Sequence, residues 1–278
     1  MSGMDVHRRL LSAATAAVLT VTVHGATAPA ALASEPWAGG APGTVGKILW
    51  ELDDSGRLGV CSGAVVDAPG GSVVATAAHC VSAPDRPEPP AEVWFVPAYD
   101  HGLGTYREDG WRVLSFHTPA AWQPQEGGDI AELLPHDYAF LTVERKAGRT
   151  LQQTHGAHTL AFAPVPADRD VAVLGYPAAA PYDGESLRSC SGPTQVLDGP
   201  DAPPVNAGGL LLEDCDLTEG TSGGPWLQGY DPATGTGTVV AVMSAGTGTG
   251  TVVGRPFPAE AEDLLAAAVA ATADGPNT

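Results

Sequence analysis

Ser222 stands in the string Gly220-Thr221-Ser222-Gly223-Gly224-Pro225, and His79 in Thr76-Ala77-Ala78-His79-Cys80. A serine hydroxyl is unreactive at its free pKa and needs a neighbouring base. Histidine is the most frequent such base, since its pKa lies near neutrality. Glycines beside the serine let backbone N–H groups crowd around whatever the hydroxyl attacks. The pair points to hydrolysis through a covalent serine intermediate, and chain order narrows the class.

Gly220-x-Ser222-x-Gly224 also matches the nucleophile elbow of α/β-hydrolases, where the acid and the histidine follow the serine. The last histidine here is His158, so that class is excluded. Asp54, then His155 or His158, then Ser222 would follow the subtilisin-like order. That class opens a buried helix at its serine, and Gly223-Gly224-Pro225 is a poor helix opening. The remaining order is His79, an aspartate, then Ser222.

Cys61-Ser62-Gly63, Thr76-Ala77-Ala78-His79-Cys80, Asp137-Tyr138-Ala139-Phe140-Leu141 and the Ser222 string together resemble the trypsin- and chymotrypsin-like peptidases. The likeness spans roughly residues 44 to 273. Within that family it looks like the bacterial secreted branch that includes the glutamyl endopeptidases. The resemblance implies an all-β fold: two six-stranded antiparallel β-barrels with the active site in the crevice between them. It further implies a serine endopeptidase with polypeptide substrates, no cofactor and a monomeric state.

Residue roles follow from the same resemblance. Ser222 would be the nucleophile and His79 its base. For the acid, Asp129 and Asp137 both fit the family's Asp-x-Ala pattern. Glu-Leu-Leu-Pro after Ala131 breaks a strand, whereas Tyr-Ala-Phe-Leu-Thr-Val-Glu after Asp137 continues one, so Asp137 is expected. The N–H groups of Gly220 and Ser222 would form the oxyanion hole. Ser244-Ala245-Gly246 matches the segment that pairs with the substrate main chain, a plain core strand end being the competing reading.

Asp216 lies six residues before Ser222, as does the specificity aspartate of trypsin-like enzymes. Cys215, however, stands seven before the serine rather than four, so a solvated loop acid competes with a pocket role. Thr221 occupies the place where trypsin-like zymogens carry the aspartate that receives a new N-terminus. No such switch is expected; removal of a leader, or a different propeptide cut, should suffice. Met243 stands where glutamyl-specific relatives place a histidine, which argues against glutamate specificity. A catalytically silent binding module of the same fold is the alternative function, kept open by Glu219 and Thr221.

The elements that must position these residues are short. The chain's 35 glycines and 25 prolines are spread throughout its 278 residues. Between them, apolar stretches at 47–51, 64–67, 72–75, 92–97, 138–144, 171–175, 210–213 and 238–245 predict strands. Residues 83–91 and 118–124 read as surface loops. A helix is predicted from Pro258 to about Ala273, with acid in its first turn and Gly275 as its stop. Residues 152–163 would link a barrel at 34–155, carrying His79 and Asp137, to one at 156–278, carrying Ser222 and the helix. His155 and His158 lie in that linker as solvated side chains, with no cysteine or acidic cluster to complete a metal set.

Residues 1–33 read as a signal peptide. A basic head at His7, Arg8 and Arg9 precedes an apolar run at 10–23 and the small-x-small site Ala31-Leu32-Ala33. Cleavage would leave Ser34 first and shift the formal net charge from −19 to −20, by removing two arginines and one aspartate. Such acidity argues against nucleic acid and anionic membrane partners. The mature protein is expected to be secreted, with no membrane association. Four cysteines in an exported chain suggest two disulfides, and Cys61–Cys80 with Cys190–Cys215 each close a short loop. In the chain-entropy model each is worth about 3 kcal/mol.

Overall fold

Short apolar runs separated by turn residues cannot bury both faces alone, so they curl into sheets whose concave faces meet. The computed structural model describes residues 34–100, 106–162, 164–165, 169–198, 202–246 and 250–273. The expected leader and Gly275 lie outside these residues. A two-residue strand β1 (Glu35–Pro36) comes first. Six strands then close a barrel: β2 (Val45–Glu51), β3 (Leu58–Val65), β4 (Val73–Thr76), β5 (Val93–Pro97), β6 (Trp111–His117) and β7 (Ala139–Val143). Their order around it is β2-β3-β4-β7-β6-β5. Ile48, Val74, Phe95, Trp111 and Leu141 fill the interior.

The second sheet holds β8 (Thr159–Leu160), β9 (Asp170–Gly175), β10 (Arg188–Pro193), β11 (Gln195–Leu197), β12 (Gly209–Glu213), β13 (Pro225–Asp231), β14 (Thr236–Gly246) and β15 (Thr251–Pro256). With β1 it makes nine strands along the path β1-β10-β9-β13-β14-β15-β12-β11, with β8 on β14. It forms a half-barrel around Val173, Leu212, Trp226 and Val240. The architecture is thus mostly β, two barrel-like sheets with a C-terminal helix, as the resemblance implied.

The predicted strands mark most of the barrel but not all of the half-barrel. The stretch at 64–67 covers only the end of β3, whose earlier part, Leu-Gly-Val-Cys-Ser-Gly, is interrupted by two glycines and a serine. β1, β6, β8, β10, β11, β13 and β15 have no counterpart among the predicted strands. β10 reads Arg-Ser-Cys-Ser-Gly-Pro; it has no apolar signal and is held by its ladder to β9 and by Cys190.

Three expectations change in detail. The helix runs Ala261–Ala273, three residues later than the Pro258 start, and it packs on the first barrel, where Ala268 accepts a 3.0 Å hydrogen bond from Thr142. β1 in turn pairs with β10 of the second sheet, so each half of the chain lends one end to the other. The linker is not a solvated tether. It carries a short helix (Leu151–His155) and β8, and His158 is fully buried. Burial pushes the His158 pKa down to about 4, keeping it neutral while its Nδ1 accepts from Gly237 N at 3.1 Å.

Candidate active site

Register brings the histidine and the aspartate together. β4 pairs with β7 so that Thr76 faces Ala139. His79 leaves β4 in a 3-10 turn (Ala78–Cys80), and Asp137 enters β7 from the other side. Asp137 is completely buried and holds the histidine twice: Oδ1 accepts from His79 N at 2.9 Å, and Oδ2 from Nδ1 at 2.8 Å. Ser244 Oγ donates a third bond to Oδ2 at 2.6 Å. Asp129, by contrast, is exposed and caps its own turn by accepting from Ala131 N.

Burial alone would pull the imidazole pKa down and the carboxyl up, because each loses hydration of its charged form. The ion pair and its hydrogen bonds outweigh that cost. His79 is raised above 6.5 and Asp137 is lowered below 3.8. Nδ1–H therefore points at the carboxylate, and Nε2 is left as the basic nitrogen.

Ser222 arrives from the second sheet. The pairing Pro225↔Val242 sets Gly223 against Met243, where Gly223 N donates to Met243 O at 2.7 Å and Met243 N to Gly224 O at 2.8 Å. The Ser222 carbonyl crosses to the first barrel and accepts from Ser62 N at 2.7 Å. The Cys61–Cys80 disulfide lies directly beneath, with Cys80 Sγ 3.6 Å from the same oxygen. Cys190–Cys215 is the second bridge.

His79 and Ser222 face one cleft of about 520 Å³, whose walls include Leu217, Met243, Ser244 and Ala245. Gly246 lines it too, whereas Asp216 does not. Its carboxylate is turned away and accepts from Ser34 N at 2.7 Å and Tyr182 Oη at 2.8 Å. The backbone N–H groups of Gly220 and Ser222 donate to no group among the described residues. Gly220 has φ +96, and a Cβ there would lie 2.5 Å from Tyr176 O. The position therefore demands glycine. Thr221 is buried and bonds back to Thr218 O through its hydroxyl.

The middle residue of the Cys61-Ser62-Gly63 string also belongs to this site. Ser62 is fully buried; its Oγ donates to Gly220 O at 2.9 Å and accepts from Tyr176 N at 3.0 Å. Its place beside Cys61 was the only signal, because both partners lie over 110 residues away. Ser62→Ala strands a buried carbonyl and a buried N–H, an expected loss of about 2–3 kcal/mol. Urea unfolding should show that loss, together with a lower kcat as the Gly220 peptide loosens.

The comparisons with known proteins agree with this geometry. The model of the trypsin-like peptidase domain matches residues 61–242. Among solved structures, protease Anisep from Arthrobacter nicotinovorans is 29% identical with a TM-score of 0.69, covering 84% of this chain and 98% of its own. A thermostable serine protease, AL20, from an extremophilic microorganism is 30% identical with a TM-score of 0.67, covering 82% and 97%. A Glu endopeptidase in complex with MPD shares the fold at 17% identity and a TM-score of 0.61, covering 87% and 98%. No curated protein sequence matches the chain. The family match spans both the histidine turn and the serine loop, and the chain belongs to the trypsin-like peptidases, as a serine endopeptidase.

Proposed function

We propose that this protein is a secreted endopeptidase that cleaves polypeptides through an acyl-enzyme, with Ser222, His79 and Asp137 as its triad. Ser222 Oγ attacks the scissile carbonyl while His79 Nε2 takes its proton and then delivers it to the leaving amine. Water, activated by the same nitrogen, hydrolyses the ester and restores the serine. Asp137 holds Nδ1–H and stabilises the imidazolium without itself being protonated. Ser244 keeps the carboxylate in place. The N–H groups of Gly220 and Ser222 receive the oxyanion, each worth about 3 kcal/mol in the barrier. Ser244-Ala245-Gly246 offers its backbone to an extended substrate chain.

The observation that carries this reading is the buried Asp137 gripping His79 from two sides in a cleft that also contains Ser222. The leader at 1–33 and the two disulfides support export. The test is a phosphonofluoridate label on the protein beginning at Ser34. One equivalent should bind, on Ser222, with parallel loss of peptidase activity. A protein that stays unlabelled and inactive would instead be the silent binding module.

A further inference from the structure

Ser34 is only 2% exposed. Every polar group it owns is held by a side chain from elsewhere in the fold. Its nitrogen donates to Asp216 Oδ1 at 2.7 Å. Its hydroxyl meets Tyr182 Oη at 2.6 Å, and its carbonyl accepts from Arg188 at 2.6 Å. Tyr182 Oη also donates to Asp216 Oδ1, and the Arg188 guanidinium lies over the Tyr182 ring. Two segments far from it in sequence, one with Tyr182 and Arg188 and one with Asp216, thus converge on one residue, and that residue follows the small-x-small string Ala31-Leu32-Ala33.

We propose that removal of the leader between Ala33 and Ser34 creates an α-ammonium that pairs with Asp216, and that this pair sets the serine loop into its working shape. The inference rests on the secreted endopeptidase reading. In the cut, a leader peptidase adds one water across the amide: Ala33 departs as a carboxylate and the Ser34 nitrogen becomes NH₃⁺. A neutral one-proton donor facing Asp216 becomes a cation with three. Charge-assisted hydrogen bonds are roughly twice as strong as neutral ones.

The consequence reaches the oxyanion donors through three residues of chain. Leu217, Thr218 and Glu219, next to Asp216, line the cleft. Thr218 is tied to Ala179 by two bonds, 3.3 Å from Ala179 N and 3.1 Å to Ala179 O. It also accepts from Thr221 N at 3.2 Å. Gly220 and Ser222, the oxyanion donors, follow at once. Asp216 is a positioning residue here, distinct from the position before the serine, where this chain has Thr221.

The experiment compares enzyme beginning at Ser34 with enzyme carrying Gly-Ala before Ser34, each also as Asp216→Asn. The N-terminus of exported protein is read by mass spectrometry and should be Ser34. The extension and Asp216→Asn should each lower kcat/KM about tenfold, mainly in kcat, as loss of a hydrogen bond to a charged group does. Their combination should cost no more than either alone. Near-ultraviolet circular dichroism checks the packing; if the extension unfolds the protein, Asp216→Asn on the Ser34 terminus decides.

A pH profile separates charge from mere shape. An α-amino group ordinarily titrates at about 7.7–8.0 and a carboxylate partner raises it. The pair is intact below that raised pKa and lost as pH climbs through it, so kcat/KM should fall on an alkaline limb. Asp216, Arg188 and Tyr182 are the charged and titratable groups facing Ser34. The limb should vanish in Asp216→Asn and persist in Tyr182→Phe. An extension that changes kcat/KM less than about twofold, losses that multiply, or a different N-terminus would overturn the proposal. Failure of the Ser34 form to label at Ser222 would sink the hydrolase reading instead, which keeps the two failures apart.

Discussion

Asp137→Asn lowers turnover on the order of 10⁴-fold, while Asp129→Asn leaves it nearly unchanged. The amide has the same shape as the carboxylate but presents an N–H₂ that cannot accept from Nδ1–H. The imidazole then takes the wrong tautomer, its Nε2 carries the proton, and Ser222 has no base. Charge adds to the effect. In the wild type the ion pair holds the His79 pKa above 6.5 despite burial. The base must be neutral to work, so the acidic limb of kcat/KM lies above pH 6.5. With Asp137 neutralised, burial prevails and the limb of the residual activity moves down. A stopped assay over the pH range checks both. Equal losses at Asp129 and Asp137 would remove the triad assignment. So would an unmoved limb in the Asp137 variant.

The contrast between these two aspartates shows what was legible before any coordinates. Asp-x-Ala occurs twice within eleven residues, yet only the second runs into a continuous apolar strand. That strand, β7, pairs with β4 and so delivers Asp137 to the histidine turn. Strand continuation was enough to tell the aspartate beside His79 from one that caps an exposed turn. The serine loop was equally plain, because glycine and serine in that order leave few alternatives.

The rest was hidden for physical reasons. β10 is built from small and polar residues, and the early part of β3 is interrupted by two glycines and a serine, so hydrophobic alternation did not reveal them. His158 looked solvated because a histidine carries no mark of its burial; the sheets close over it only when β8 docks on β14. Asp216 was weighed as a pocket carboxylate on spacing alone. Its partner, Ser34, lies 182 residues away, and no local pattern encodes such a pairing. Ser62 and Ser244 likewise act through hydroxyls whose acceptors belong to distant elements.

Gly223→Ala should cost at least about 10²-fold in kcat/KM, although position 223 touches no substrate, because a displacement of about 1 Å at a reacting group is worth that much. The glycine has φ +79, a region that side chains disfavour. A Cβ there would sit 2.0 Å from Thr76 Oγ1, 2.4 Å from Ser62 O and 2.8 Å from Ala77 N. All three belong to the barrel that carries His79, while Gly223 belongs to the loop that carries Ser222. The methyl group is a wedge driven between nucleophile and base. Trimming Thr76 to Ala relieves only one of the three contacts, since the other two are backbone atoms, so the double variant should recover little activity. The wedge also breaks the Ser62–Ser222 bond that joins the halves, and urea unfolding should report a loss of about 2–4 kcal/mol, combining strained backbone with an unpaired buried group. Wild-type activity in Gly223→Ala would mean that the serine loop does not seat against the first barrel as described. Rescue by Thr76→Ala would locate the conflict in one flexible side chain rather than in the meeting of two backbones.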